Sequence, residues 1–287
     1  MTVLVMGATG NVGPHVMADL HEAGETPNVL VRNGERAREV FGDSANVFAG
    51  DANDAVALAA AIVGVDSILL LSPHSYSMAD LQLRVIREVR RTGARIVKVS
   101  GTSAAIQPNG PHACRQHWEV ERVLVESGQP HVVLRPNSFM QVLIGKQMIP
   151  ALQTSGVVAN PIADYGISFV DARDVGAVAA RVLLDHGWDS QTLELTGPRS
   201  VTYADIAGLV SGLLGRTVST VETTPADVRA TLIGRGMPEW EVDHFQEMYQ
   251  LFRDGKSEKV TSTVEEITGV RARTIEAFLA EQLTAGR

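Results

Sequence analysis

A glycine-rich turn between a short apolar strand and a helix constrains the fold of this chain more than any other segment. Residues 2–6 are apolar and predict a strand, and the sequence Gly7-Ala-Thr-Gly-Asn-Val-Gly13 follows directly. Residues 16–23 have helical spacing, and residues 27–31 predict a second strand. This order of strand, turn, helix and strand is typical of a β-α-β unit whose turn binds the pyrophosphate of a dinucleotide.

Each glycine of the turn has a predicted role. Gly7 allows the tight turn, Gly10 lets the backbone approach the pyrophosphate, and Gly13 lets the helix pack closely on the sheet. The helix N-terminus offers N–H groups to the phosphates. A glycine-rich loop of another α/β domain is the alternative, which the position between a strand and an amphipathic helix disfavours. The predicted cofactor contacts in this turn are Gly7, Thr9, Gly10, Asn11 and Val12.

The residue after the second strand predicts which dinucleotide binds. An NAD site usually places an acid there to hold the ribose hydroxyls. This chain has Arg32 instead, and the first acid is Glu35. A guanidinium pairs with a 2′-phosphate, so NADP(H) is the preferred cofactor and NAD(H) the alternative. The alternative is that Arg32 is only a solvated residue at the end of the strand, in which case it would not favour NADP(H) over NAD(H).

Composition excludes several other classes of protein. The net charge of −8 argues against a nucleic-acid partner. No apolar run approaches the roughly twenty residues that cross a bilayer, so no membrane association is expected. The single cysteine, Cys114, cannot form an internal disulfide, which favours a reducing compartment and a cytoplasmic protein. No spacing typical of a metal site is present, and neither a metal nor a flavin is expected.

Strand and helix patterns alternate along the chain and predict an α/β fold, a Rossmann-type doubly wound parallel sheet. We expect residues 1–140, completed by parts of 165–200, to form the NAD(P)-binding domain, and residues 141–287 to form a smaller, mostly helical α/β lobe that binds substrate. Further strands are predicted at 47–49, 65–71, 95–99, 131–134, 156–158, 167–170, 192–195 and 218–222. Helices are predicted at 55–62, 79–91, 112–126, 171–184 and 202–214, and from about 225, 238 and 273.

Ligands on such sheets bind at the carboxyl ends of the strands. Residues at or just after the ends of the predicted strands are therefore further candidates for cofactor contacts. They are Asp51, Leu71, Ser72, Ser100, Gly101 and Asn137.

These motifs together resemble a known family. The sequences Gly7-Ala-Thr-Gly-Asn-Val-Gly13, Val31-Arg-Asn33, Leu134-Arg-Pro136 with Phe139, and Val170-Asp-Ala-Arg-Asp174 are similar to those of the NmrA-like, atypical short-chain dehydrogenase/reductase family. Within it the chain resembles the branch of type 2 quinone reductases and triphenylmethane reductases. The resemblance implies the Rossmann fold, an NADP cofactor and a reductase, and does not by itself fix the substrate.

The wider superfamily uses a Tyr-x-x-x-Lys pair as acid and base, and this chain lacks it. None of its four tyrosines is followed four residues later by lysine. The helix that would carry the pair has His117-Trp-Glu-Val-Glu121 instead. His117 is the candidate proton donor or substrate-orienting residue, and an exposed i, i+4 pair on the helix surface is the equally weighted alternative.

The missing tyrosine favours an acceptor that delocalises charge. A simple ketone needs a proton donor at the developing alkoxide, whereas a quinone or a conjugated dye needs less help. Apolar and aromatic residues suit such a flat ligand, although an aromatic stripe on a helix also builds cores. The candidate pocket residues are His74, Tyr76, Phe139, Met140, Trp240 and Tyr249.

Three functional hypotheses remain open. The first is an NADPH-dependent reductase of a small aromatic or quinone-like substrate. The second is a non-catalytic redox sensor of the NmrA type, which binds NADP and signals to a protein partner. The third is a reductive component in the biosynthesis of aromatic natural products. The sequence leaves a homodimer open in each case.

Overall fold

Apolar strands alternate with helices in the computed structural model, which describes residues 1–284. The strands within that range are, in chain order, β1 (Val3–Met6), β2 (Asn28–Val31), β3 (Asn46–Ala49), β4 (Ser67–Leu70), β5 (Arg95–Val99), β6 (His131–Pro136), β7 (Val157–Asn160), β8 (Thr192–Leu195) and β9 (Ser219–Glu222). Seven of them form one sheet in the order β3-β2-β1-β4-β5-β6-β8.

The order of this sheet identifies where a ligand can bind. β1 pairs in parallel with both β2 and β4, and β5 pairs in parallel with β4 and β6. The chain therefore runs outward from β1 in one direction as far as β3 and then returns to continue on the other side with β4. The strand order reverses between β1 and β4, which is the topological switch point where α/β sheets bind ligands. The predicted Rossmann-type parallel sheet is confirmed.

Twelve α-helices are described in residues 1–284. They are α1 (Gly13–Glu22), α2 (Gly34–Phe41), α3 (Ala55–Ala61), α4 (Met78–Arg90), α5 (His112–Glu126), α6 (Ile149–Thr154), α7 (Ala172–Leu184), α8 (Tyr203–Leu214), α9 (Pro225–Gly234), α10 (Glu239–Arg253), α11 (Thr263–Thr268) and α12 (Ile275–Thr284). None of the helices in that part of the chain is both long enough and apolar enough to span a membrane.

The chain divides into two units. The first consists of residues up to Ser100, Gln116–Arg135 and Ala172–Leu193, and the second of Gly101–Arg115, Pro136–Asp171 and the residues from Glu194 onward.

Both faces of the sheet are covered within the first unit. On one face, alternate residues of the central strands, such as Leu4 and Ile68, join a buried apolar cluster with Val85 of α4 and Val120 of α5. Elsewhere in this unit α1 packs against α7. That packing needs a glycine, because a Cβ on Gly176 would lie 2.6 Å from the Cβ of His15. The helices thus bury the apolar strands and leave the strand ends as the place for polar groups.

The second unit contains a separate two-stranded parallel sheet, β7 with β9. Capping boxes begin two of its helices: Thr202 and Asp205 cap α8, and Thr224 and Asp227 cap α9. Each box satisfies amide groups at the helix start that would otherwise lack acceptors. The helix predicted from residue 202 is confirmed.

Some predicted elements are wrong. Residues 167–170 do not form a strand, because Ile167 bridges to Val201 and Val170 bridges to Phe139, so no continuous ladder develops. The segment Met140–Met148 forms a π-helix that continues into α6, and neither element was predicted. The short helices α2 and α11 were also missed.

Candidate functional site

The turn after β1 has the conformation that the glycine spacing predicts. Gly7 adopts φ +72°, a left-handed conformation that L side chains rarely adopt. The N–H of Gly10 donates to the carbonyl oxygen of Gly7 at 3.0 Å. A Cβ on Gly13 would lie 2.2 Å from that same oxygen, so α1 can start this close to the turn only with glycine.

The N-terminus of α1 faces this turn. Among residues 1–284 no side chain caps the helix, and Pro14 in its first turn has no N–H to satisfy. Thr9, Gly10 and Asn11 are exposed, whereas Val12 is buried. The turn therefore presents backbone amides and the positive end of a helix, which together favour an anion such as a pyrophosphate.

The end of β4 lies beside the turn, as expected for strands that flank the switch point. A Cβ on Gly7 would lie 3.0 Å from both Cγ and the carbonyl oxygen of Leu71. Ser72 follows, and its Oγ accepts a hydrogen bond from Gln82 Nε2 at 2.8 Å. The structure thus brings Leu71 to the glycine turn, and the contacts of both residues with a dinucleotide stay predictions.

The ends of β2 and β3 carry Arg32 and Asp51. Arg32 is exposed directly after β2, and the next residue, Asn33, caps α2 by accepting from the N–H of Arg36 at 3.0 Å. Oδ1 of Asp51 accepts from the N–H and from Nδ2 of Asn53, both at 2.8 Å. Because β2 and β3 pair in parallel, their carboxyl ends lie at the same edge of the sheet. The exposed guanidinium lies at that edge, and its contact with a 2′-phosphate remains a prediction.

A buried polar cluster at the end of β5 was not predicted. Lys98 is 0% exposed, and its Nζ lies 2.8 Å from Oε1 of Gln82, 3.1 Å from the carbonyl oxygen of Val99 and 2.9 Å from Nδ1 of His117. Burial lowers the pKa of Lys98 to about 7, although the negative charge of Glu121 opposes this shift. A signal was present in the sequence: Arg95-Ile-Val-Lys-Val99 places a lysine inside an apolar strand, and lysines are seldom fully buried.

The side chains of His117 and Glu121 are buried, with exposed fractions of 3% and 6%. The alternative of an exposed helix pair is therefore wrong. The two side chains contact different groups. Nδ1 of His117 lies beside Nζ of Lys98, and Glu121 accepts hydrogen bonds from Oγ of Ser100 and from the guanidinium of Arg135. Both residues project from α5 toward polar groups at the ends of β5 and β6. Ser100, predicted as a cofactor contact, uses its hydroxyl in this ion-pair cluster.

The loop after β4 carries His74 and Tyr76. The ring of His74 lies edge-on to that of His117, with 5.5 Å between centroids, and Tyr76 is 71% exposed. Gln116 fixes the loop, because its Nε2 donates to the carbonyl of Ser75 at 2.9 Å and its Oε1 accepts from the N–H of Ala79 at 2.8 Å. The predicted pocket residue His74 and the predicted proton donor His117 are therefore neighbours within one unit.

Other predicted site residues belong to the second unit. Asn137 is buried, and its Nδ2 donates to Oγ of Ser168 at 2.7 Å and to the carbonyl of Ser257 at 3.0 Å. Its Oδ1 accepts from Oγ of Ser257 and from the N–H of Ser138, both at 2.8 Å. These bonds join three segments of the second unit, which gives Asn137 a structural task. Its predicted cofactor contact remains a prediction, as does that of Gly101, which is half-buried.

The candidate pocket residues of the second unit differ in exposure. Met140 is buried and Phe139 is half-buried. Trp240 is half-buried at the start of α10, and its ring lies 5.3 Å from that of His112. Tyr249 is 9% exposed and donates to Oε1 of Gln147 at 3.2 Å. Because Phe139 and Trp240 are more exposed than Met140 and Tyr249, they are the more accessible candidates for contact with a hydride acceptor.

Cys114 is buried in the second unit beside Met248, with 3.9 Å between the two sulfur atoms. Burial raises the pKa of its thiol to about 12. Because the thiolate is the reactive form, this cysteine is a poor nucleophile.

Comparison with known proteins identifies the family. The sequence profile of the NmrA-like family matches residues 1–279. The chain belongs to the NmrA-like family. An NAD(P)H azoreductase from Xenophilus azovorans is 31% identical over 278 residues, which cover 96% of this chain and 96% of the relative. The resemblance predicted from the motifs is thereby confirmed.

Two solved structures share the fold of this chain. An NADPH-dependent quinone oxidoreductase from Escherichia coli, solved in complex with NADPH, matches with a TM-score of 0.87 and 25% identity over 99% of both chains. Triphenylmethane reductase from Citrobacter, complexed with NADP(H), matches with a TM-score of 0.86 and 21% identity over 98% of this chain and 99% of that one. The latter likeness shows the shared fold.

Proposed function

We propose that this NmrA-like protein is an NADPH-dependent reductase that transfers a hydride to a quinone-like or other conjugated aromatic acceptor. One observation carries the proposal: a glycine turn with free space for an anion and an exposed arginine lie at the carboxyl ends of strands in one parallel sheet, and the buried His117 of α5 contacts Lys98 near the end of a third strand. That edge is where α/β sheets bind dinucleotides and their reaction partners. The azoreductase and the quinone oxidoreductase among its relatives support the same class of reaction.

The residues of the turn fit the dinucleotide. A Cβ on Gly10 would meet only the carbonyl oxygen of Gly7, at 3.3 Å, and the amides at the start of α1 would hold the pyrophosphate. Arg32 would pair with the 2′-phosphate, and no acid precedes Glu35 to repel it. When bound, NADPH supplies the hydride and the protein supplies position and charge.

His117 is the proposed proton donor. A quinone that has received a hydride is an anion, and its oxygen must gain a proton to become the quinol. The imidazole of His117 lies edge-on to the ring of His74, with 5.5 Å between centroids, and we propose His74 and Tyr76 as acceptor contacts. Since the acceptor delocalises the charge, one imidazole can do what the missing tyrosine and lysine do for a ketone.

Steady-state oxidation of NADPH tests this function directly. We expect turnover with at least some members of a panel of quinones, azo dyes and triphenylmethane dyes, at a rate well above the buffer background. Deuterium placed stereospecifically at C4 of the nicotinamide should leave the cofactor during turnover, and a reduced triphenylmethane dye should retain it on carbon, whereas an O–D or N–D product exchanges with water. The matched control is Gly10→Val, which should lose both binding and turnover while remaining folded. If no conjugated acceptor is reduced although NADPH binds, the chain is better explained as a redox-sensing regulator.

A further inference from the structure

The ammonium of Lys98 is enclosed by three acceptor positions. The carbonyl oxygen of Val99 and Oε1 of Gln82 each lie within hydrogen-bond distance of Nζ, at 3.1 and 2.8 Å. The third neighbour is Nδ1 of His117 at 2.9 Å. Gln82 is oriented from its other end, because its Nε2 donates to Oγ of Ser72 at 2.8 Å. The two oxygens can only accept, so the imidazole nitrogen is the one neighbour whose role can change.

Two protonation states satisfy the same set of neighbours. As an ammonium, Lys98 has three hydrogens, and it donates to Val99, to Gln82 and to Nδ1 of His117. A neutral His117 then carries its own proton on Nε2. As an amine, Lys98 keeps its bonds to the two oxygens, and its lone pair accepts from a proton on Nδ1. The second state has one proton fewer: a proton has moved from Nζ to Nδ1 along a 2.9 Å line, and the proton of Nε2 has left the pair.

We propose that Lys98 and His117 form a two-residue proton relay, in which Nζ of Lys98 passes a proton to Nδ1 of His117 while Nε2 gives its own proton to the reduced acceptor. This inference rests on the proposed function, in which His117 protonates the acceptor. His117 would be the catalytic residue and Lys98 the residue that positions and recharges it.

The protons of this step balance. The quinone gains a hydride and becomes an oxyanion. The N–H bond at Nε2 breaks as an O–H bond forms on that oxygen, and an N–H bond forms at Nδ1 as one breaks at Nζ. His117 is neutral before and after, Lys98 changes from ammonium to amine, and the negative charge of the acceptor is cancelled. The starting state returns when Nε2 takes up a proton from solvent and the proton on Nδ1 moves back to Nζ of Lys98.

The electrostatic environment suits such a relay. A lysine in water keeps its proton at neutral pH, whereas burial lowers the pKa of Lys98 to about 7. Because Nζ of Lys98 lies 2.9 Å from Nδ1 of His117, loss of the proton of Lys98 is coupled to the position of the proton on that imidazole. The titratable and charged groups that face it from the surrounding helix, loop and strand are His117 and Glu121 of α5, His74 after β4, and Arg135 of β6, which is paired with Glu121.

Nitrogen-15 NMR of the histidine rings tests the relay without any acceptor, with the signal of His117 assigned from the variant His117→Gln. Lys98 should titrate near pH 7. Below that pH His117 should carry its proton on Nε2, and above it the proton should move to Nδ1. In Lys98→Met, which fills the space without a titratable group, this exchange of tautomers should vanish. A lysine that stays charged up to about pH 9 would overturn the relay.

Kinetics separates a relay from simple positioning. In the parent protein kcat should fall as the pH rises through about 7, because Lys98 then loses the proton that it supplies. In Lys98→Met this fall of kcat with rising pH should be absent, and kcat at low pH should be about a hundredfold lower than in the parent protein. Lys98→Arg keeps a buried cation and its donors but cannot release a proton near neutral pH. If Lys98→Arg restores the parent kcat and pH profile, Lys98 only positions His117 and the relay is wrong.

The two proposals fail in distinguishable ways. Absence of turnover with every acceptor in the parent protein would refute the reductase function, and the NMR titration would still decide whether the proton moves between Lys98 and His117. Turnover combined with a fixed tautomer of His117 at every pH would support the reductase and overturn the relay.

Discussion

Substitutions at Gly13 and Gly10 should have different effects. A side chain at Gly13 should lower the stability of the fold, whereas one at Gly10 should lower the affinity for a dinucleotide. In Gly13→Ala the new Cβ would lie 2.2 Å from the carbonyl oxygen of Gly7 and 2.5 Å from Cα of Ala8. Both are backbone atoms, so the whole turn must shift. Overpacking typically costs about 1–3 kcal/mol, and contact with backbone favours the upper end of that range. A loss of about 3 kcal/mol lowers the Tm of a chain of this size by about 6–12 °C.

Gly10→Val should behave in the opposite way. Its Cβ would meet only the carbonyl oxygen of Gly7, at 3.3 Å, so the fold should tolerate it with a change in Tm of a few degrees. The branched side chain would stand where the pyrophosphate must approach, and affinity for NADPH should fall at least about tenfold. Gly212→Ala is the matched control, since nothing lies within 4 Å of its added Cβ and it should leave both quantities unchanged or slightly raise the Tm.

Differential scanning calorimetry and isothermal titration with NADPH give the two readouts for all three variants. The reasoning is refuted if Gly13→Ala melts within about 2 °C of the parent, which corresponds to less than about 1 kcal/mol. It is equally refuted if folded Gly10→Val binds NADPH with the parent affinity, because the phosphate site would then lie elsewhere.

Two further predictions concern single side chains. Arg32→Ala should weaken NADPH binding several-fold and leave NADH binding nearly unchanged, because only NADPH has the 2′-phosphate; equal affinities of the parent protein for the two cofactors, measured by titration, would contradict this. Cys114, whose pKa burial raises to about 12, should react with Ellman's reagent at pH 8 far more slowly in the folded protein than after unfolding, and a reaction at the rate of a free thiol would show that the cysteine is accessible.

The sequence sufficed for the features that depend on local patterns. Alternation of apolar strands with helices predicts the parallel sheet, and the spacing of Gly7, Gly10 and Gly13 predicts the turn. Strand ends were also predictable, because a parallel sheet brings them to one edge. Leu71 beside Gly7 is an example: the two residues are far apart in sequence, and only the pairing of β1 with β4 makes them neighbours.

The cluster around Lys98 could not be found in this way. A lysine in a strand usually marks a solvated position, and its burial here depends on three separate segments. The register of β5 places Lys98 opposite Leu70 of β4, and only the packing of α4 and α5 then brings Gln82 and His117 to its Nζ. Helix periodicity could place His117 and Glu121 on one face of α5. It could not decide whether that face meets solvent or the sheet, because both residues are polar.

The burial of Lys98 is itself an argument for a task beyond stability. Taking an ammonium out of water is unfavourable, and an apolar residue of similar size would fill the same space without that penalty. The penalty is reduced here by two fixed oxygens and by the charge of Glu121, yet the pKa of Lys98 still lies near 7. The group is therefore held where its proton is easily lost. Since the sequence has no Tyr-x-x-x-Lys pair, a lysine in this state beside His117 would give α5 and β5 the means to deliver one proton for each hydride that reaches the acceptor.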